Sequence, residues 1–221
     1  GKVMKNVSEY SKFFLKKGLD STPDTFDGNM KLQKLLFFAN LIHLEENDEY
    51  LFEEEMLAFE GGTVIEEVRQ RYRNDYIGYK KDANNYEPNF CQTEYDTLNK
   101  TIAIFGKLPA KELSSLNHEF NFWKDSLAKS TNQFGYHSKE NAVIQKEDVK
   151  KELSKIRNVL DEYNKNKTNC ETSELVNGIT FYFNPTNVII DQIIPQLEDF
   201  SKYAEDNAYT IYLEEEELVI L

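Results

Sequence analysis

Three histidines and two cysteines are the residues of this 221-residue chain best suited to bind a metal or attack a substrate. His43, His118 and His137 each stand far from another histidine or cysteine, and Cys91 and Cys170 lie far apart. Structural and catalytic metal sites draw ligands from short, recurrent spacings such as HExxH or CxxC, and none occurs here. The runs Glu53–Glu55 and Glu214–Glu217 hold carboxylates of the kind used for acid–base work or Mg²⁺ binding. Consecutive side chains alternate across a strand and fan out around a helix, so few of these acids converge; solvated charge is the stronger reading. Gly61-Gly62 precedes an expected helix start, where an anion could sit. There is no GxGxxG, GxxxxGK[ST] or GxSxG pattern, so turn punctuation is favoured. These residues imply no enzyme, no metal and no cofactor.

The elements that position such residues are mostly helical. Val7, Tyr10, Phe14 and Leu15 give a first helix ending near Gly18. Met30–Glu46, capped by Asn29, is the strongest helix: Leu32, Leu35, Leu36, Ala39 and Ile42 form a stripe that Phe37, Phe38 and Leu41 widen to almost the whole circumference. Such a helix belongs at the centre of its domain. A short strand is expected within Tyr50–Phe59. Thr63 and Glu66 form a capping-box pattern for a helix over Val64–Tyr72. Asn74–Phe90 is polar and tyrosine-rich, and reads as loop. A helix opening at Thr93 or Asp96 runs to Phe105, another follows Pro109 to Leu116, Ser126–Ser138 reads as loop, and Lys146–Tyr163 is a clean amphipathic helix.

Asn164–Thr172 reads as a linker, and beyond it the pattern changes. Gly178–Phe183 has β composition, and residues 190–204 have helical spacing through Pro195, with a kink or two short helices expected. Tyr209–Leu213 and Leu218–Leu221 predict a hairpin around the four glutamates. The fold class is therefore α+β: a predominantly helical domain with a short β element over residues 1–165, and a small acidic strand–helix–strand extension over 166–221. With so many Ile, Phe and Tyr, the extension is expected to dock on the helical domain rather than fold alone.

Composition narrows function. Lys and Arg total 26 against 39 Asp and Glu, a net charge of −13. Nucleic-acid binding rests on neutralising phosphates with cations, so direct nucleic-acid contact is not expected. No apolar run reaches the roughly 20 residues of a membrane span. Two isolated cysteines and the lack of a targeting segment fit the cytoplasm. Residues 164–221 hold three lysines and 11 acids, so the negative charge is concentrated there.

A specific resemblance lies in the first three quarters of the chain. Lys31-Leu32-Gln33-Lys34-Leu35-Leu36-Phe37-Phe38-Ala39, then Leu51-Phe52, Ala58-Phe59 and Gly61-Gly62-Thr63-Val64, resembles the Panacea (SocA-like, GepA-like) antitoxin domain. Phe105-Gly106-Lys107 through Glu112-Leu113-Ser114-Ser115-Leu116, Asn117-His118-Glu119, Trp123-Lys124 and Ile144 with Glu147-Asp148-Val149 continue it. The motif positions include Lys31, Leu32, Lys34, Leu35, Phe38, Gly62, Val64, Leu113, His118 and Trp123, and the similarity extends over about residues 7–163. The chain departs from the pattern at Thr63, where the family has proline, at Asn117, where it has threonine, and at Phe122, again in place of proline.

The resemblance implies a mostly helical antitoxin that neutralises a cognate protein toxin by binding it, in a bacterial or prophage toxin–antitoxin pair. An acidic antitoxin suits a basic toxin. The alternative is a mobile-element or phage regulatory or anti-defence protein that binds a host protein with the same domain. By their chemistry, Lys34 reads as a surface lysine, His118 as a capping residue, and Trp123 as core or partner groove. Tyr76 and Tyr79, set among polar residues, are the expected partner contacts, because tyrosine offers rigid amphipathic area at low entropic cost.

Overall fold

A threonine starts the central helix. Thr25 Oγ1 accepts the Gly28 N–H at 3.0 Å, so helix α2 runs Phe26–Asn47, a turn earlier than the expected start at Met30. Asp48, in the left-handed conformation, ends it. Every residue from Lys31 to Leu44 is buried, the apolar ones as the near-complete wrapping predicts. The computed structural model describes residues 4–166 and 171–221. The chain divides into two compact units, residues 1–159 and 160–221.

In the first unit, α1 (Val7–Lys16), α5 (Gln92–Phe105) and α6 (Ala110–Asn117) pack on α2. Aromatic contacts fill the seams. Phe38 stacks on Phe105 with ring centroids 4.1 Å apart, and Phe37 meets Phe120 and Phe122 at 5.6 and 6.1 Å. A two-stranded antiparallel hairpin, β1 (Leu57–Phe59) and β2 (Gly62–Val64), lies against α2. The remaining elements are α3 (Glu66–Asn74), α4 (Tyr76–Asn85), α7 (Asn121–Ser130), a 3-10 turn at Glu140–Ala142, α8 (Lys146–Lys150) and α9 (Leu153–Asn166).

Several expectations are corrected here. Thr63 is a strand residue rather than a helix cap, and α3 begins at Glu66 behind Ile65 without a side-chain cap; Glu66 pairs with Arg69 instead of closing a capping box. Residues 76–85, expected as loop, form α4, capped by Asp75, whose carboxylate accepts the Gly78 N–H at 3.2 Å. The first five residues of the expected loop Ser126–Ser138 are the end of α7. Lys146–Tyr163 is two helices with a turn at Lys151-Glu152, and the Glu152 carboxylate accepts the free N–H groups of Asn121 and Phe122, both at 2.8 Å, at the start of α7. Helix α5 opens at Gln92, with Glu94 accepting the Cys91 N–H at 3.0 Å.

The second unit is a four-stranded sheet in the order β3 (Thr172–Val176), β4 (Ile179–Phe183), β5 (Ala208–Glu214), β6 (Glu217–Ile220), with α10 (Ile190–Ser201) between β4 and β5. The β4–β5 pair is parallel and the other two are antiparallel. Asn177-Gly178 turns β3 into β4, and Glu215-Glu216 turns β5 into β6, all four with positive φ. The C-terminal hairpin forms around the glutamates as expected, while β3 adds a strand to the expected strand–helix–strand order. Helix α10 stays a single element and carries Pro195 on its exposed side; Ile190, Ile193 and Leu197 anchor the other side in the core of this unit. Of the expected linker, residues 167–170, including Cys170, lie outside the described residues; residues 164–166 close α9 and Thr172 opens β3. Among the described residues no helix is long and apolar enough to cross a membrane.

Candidate functional site

The β1–β2 hairpin is held by side chains from three helices. From α2, Lys34 donates through Nζ to Thr63 O at 2.9 Å, and Gln33 Oε1 accepts the Ile65 N–H at 2.9 Å. From α6, Ser114 Oγ donates to Gly61 O, and Asn117 binds Thr63 twice: Oδ1 accepts the backbone N–H at 2.6 Å while Nδ2 donates to Oγ1 at 3.1 Å. From α7, Trp123 Nε1 donates to Phe59 O at 2.8 Å. His118, at the C-terminal end of α6, stacks on Trp123 with centroids 3.9 Å apart. Burial, then the nearby Lys34 ammonium, hold its imidazole below the usual histidine range. Leu32, Leu35, Phe38 and Leu113 are core, as their spacing implies.

Lys34 corrects the surface reading. It is 1 % exposed, and burial pushes its ammonium down to about 7. The position follows from geometry: its long stem lies along the apolar helix, and its head meets a carbonyl that the hairpin turns inward. Lys31 does the same beside it, donating to Gly106 O at 2.7 Å from a buried position. The unfolded lysine titrates near 10.5 and the folded one near 7. Between those values the unfolded chain binds more protons, so stability rises with pH, by up to about 1.4 kcal/mol per unit. Below about 7 the whole penalty is felt. Lys34→Met is expected to flatten the stability profile over that window, measured by urea unfolding at stepped pH. Equal slopes in the two proteins would contradict the burial of a lone ammonium.

The two departures at Thr63 and Asn117 touch each other. A proline at position 63 has no N–H for Asn117 Oδ1 to accept, so the asparagine has a partner only because a non-proline residue stands opposite. Thr63→Pro should leave Asn117 Oδ1 buried and unpaired, at a cost of about 1–3 kcal/mol. Asn117→Thr in the same chain should recover part of that loss; strictly additive effects in a double-mutant cycle would separate the two positions.

Beside the hairpin turn lies an apolar cleft of about 680 Å³, bordered by Phe26, Met30, Phe59, Gly61, Arg69 and Tyr72 among others. The Arg69 guanidinium sits 5.1 Å over the Phe59 ring and pairs with Glu66. Phe26, the first residue of α2, is exposed at the cleft. Asp20, buried behind it, accepts from Tyr72 at 2.7 Å and Tyr76 at 3.2 Å. The cleft brings together no nucleophile with a base. Its chemistry is that of a recess for apolar or aromatic groups, with charges of both signs, Asp24, Glu60, Arg69 and Arg73, at its border.

The expected partner contacts separate. Tyr76 is half-buried on α4, its ring 4.8 Å from Tyr72. Tyr79 is 1 % exposed, with its hydroxyl on Ser11 and Arg71 over its ring, so it belongs to the core. Trp123 is buried and holds the hairpin. The cleft residues Phe26 and Arg69 carry no motif signal; only the exposed phenylalanine so close to the helix start hints at them. Among the described residues no group of three or more His, Cys, Asp or Glu is placed to hold a metal ion.

The hairpin and its clamp lie within a stretch that is similar to a known domain. Residues 32–124 match the family model of the antitoxin SocA-like, Panacea domain. The resemblance read from the motifs is borne out over this stretch, which is narrower than the 7–163 span the motifs suggest. The matched stretch takes in α2 from Leu32, the hairpin, α3 to α6 and the first residues of α7. No curated protein and no solved structure matches the chain.

Proposed function

We propose that the chain is an antitoxin that neutralises a cognate protein toxin by binding it directly, in the cytoplasm. The Panacea match over residues 32–124 is the observation that carries this reading. The role is assigned to residues 1–165, with 166–221 as an acidic extension. Within the helical unit, the cleft beside the hairpin supports the choice of surface: it is largely apolar and bordered by the exposed Phe26 and by the buried Tyr72, against whose ring the half-buried Tyr76 packs. Buried Lys34, Gly62, Asn117 and Trp123, with the half-buried His118 stacked on Trp123, are read as positioning residues that fix the hairpin.

The test is co-expression with the adjacent open reading frame in a host that this frame alone arrests. Wild-type chain should restore growth, and Phe26→Asp should weaken rescue without lowering the unfolding temperature. Loss of one central aromatic costs on the order of 2 kcal/mol of binding, about thirtyfold in affinity. Failure of the wild-type chain to rescue would remove the antitoxin reading. Full rescue and unchanged affinity with Phe26→Asp would move the contact away from the cleft.

A further inference from the structure

The two faces of the C-terminal sheet differ. On the inner face Val176, Ile179, Phe181, Phe183 and Ile211 close a core with α10. Strand registers place their neighbours on the other side: Ser173 opposite Tyr182, Leu175 opposite Thr180, Tyr182 beside Thr210, Tyr212 opposite Val219, and Glu214 opposite Glu217. These outer residues remain open. Tyr182 is 40 % exposed, Tyr212 37 % and Leu175 69 %. Two tyrosines on adjacent strands, with Leu175 to one side and Val219 to the other, make an apolar band across the sheet. The Glu214–Glu217 hairpin tip stands at its end.

We propose that this outer face, with the glutamate tip, docks a basic surface of the protein that the chain neutralises. The proposal rests on the binding reading above and adds a second, separate contact surface to the cleft. Charge selects the occupant. Of the acids, Glu214 to Glu217 stand at the tip of this face and none of the face residues named above is a cation, while residues 171–221 as a whole hold 11 acids against a single cation, Lys202. A second copy of the chain would bring two such surfaces together, and like charges at an interface oppose association. Nucleic acid would meet the same repulsion from its phosphates. A basic protein instead gains steering at long range from the tip and apolar contact from the tyrosine band. Tyrosine suits both halves of that task, because its ring supplies area and its hydroxyl tolerates the wet rim.

The experiment uses the full chain and the purified product of the adjacent open reading frame, carrying an inactivating substitution, in a kinetic binding assay. Three variants are compared with wild type: Tyr182→Ala with Tyr212→Ala, Thr210→Arg, and Glu214–Glu217 changed to glutamine. The double tyrosine variant should bind about thirtyfold or more weakly, with faster dissociation. Thr210→Arg, a bulky cation on an exposed position of the same face, should weaken binding similarly. The glutamine variant should slow association about tenfold at low salt and converge with wild type at high salt. Unfolding temperatures within a degree or two of wild type would show that each variant is folded; should the tyrosine variant unfold, Thr210→Arg decides. Wild-type binding with all three variants equal to it would overturn the proposed face and leave the antitoxin reading standing. Absence of binding and rescue by the wild-type chain would overturn both. Self-association of the wild-type chain, abolished by Tyr182→Ala, would place a second copy on the face and overturn the proposal.

Discussion

Phe37→Ala is expected to destabilise the helical unit by about 3–5 kcal/mol. Phe37 has no exposed surface, and its ring meets Phe38, Phe120 and Phe122. Truncation removes contacts to α2 itself and to the segment leading into α7, so no single neighbour can collapse into the space left behind. The cost is large against a typical total of about 5–15 kcal/mol. Urea unfolding followed by near-ultraviolet circular dichroism, which reports the packed aromatics, measures it. A midpoint within error of wild type would mean that α2 is not enclosed.

Gly62→Ala should cost about 2–6 kcal/mol, from two sources. At φ +125° only glycine is unstrained, and holding another residue there costs on the order of 1–3 kcal/mol. The added Cβ would also run into Lys34 Cε and lie 2.7 Å from Asn117 Oδ1. Overpacking of this kind costs about 1–3 kcal/mol. Gly61→Ala is the control. Its Cβ would meet only Met30 Cε at 3.3 Å, a flexible side-chain end, so a loss under about 1 kcal/mol is expected there. Thermal unfolding of the two variants side by side checks the contrast, and equal losses would refute it. In Gly62→Ala the Lys34–Thr63 bond should break first, which the pH profile of stability would report.

How far the sequence reveals this architecture depends on where each element's cause lies. Helix α2 is legible because its cause is local: apolar residues all around its circumference. Helix α4 is not, because Tyr79 and Ala83 alone anchor it and polar residues outnumber them. The break between α8 and α9 carries no local breaker such as Gly or Pro, and the residue at it, Glu152, has its partners about 30 residues away, at the first N–H groups of α7. The clamp on the hairpin divides in the same way. Motif similarity marks Lys34, Gly62, His118 and Trp123, yet side-chain chemistry alone sends Lys34 to the surface, since a lysine's burial depends on a carbonyl 29 positions on. Asn117 shows itself only as a departure from a pattern, and its meaning appears once Thr63 is found beside it.

The two hairpin turns of the C-terminal sheet set local preference against charge. Asn177-Gly178 uses the residues that a positive-φ, two-residue turn favours. Glu215-Glu216 adopts the same kind of turn with residues that pay for it, at φ 50° and 68°, while Glu214 and Glu217 face each other in register. Left-handed backbone costs an ordinary residue roughly 1–2 kcal/mol, and like charges directly opposite add to that. The β5–β6 end is thus locally frustrated: its sequence resists the shape its fold imposes. Such a segment should loosen first on dilution into low ionic strength, and counter-ions should tighten it. A cation brought by a partner would then act twice, attracting the tip and removing the repulsion that works against the hairpin, so that part of the binding free energy would appear as added order in the last strand.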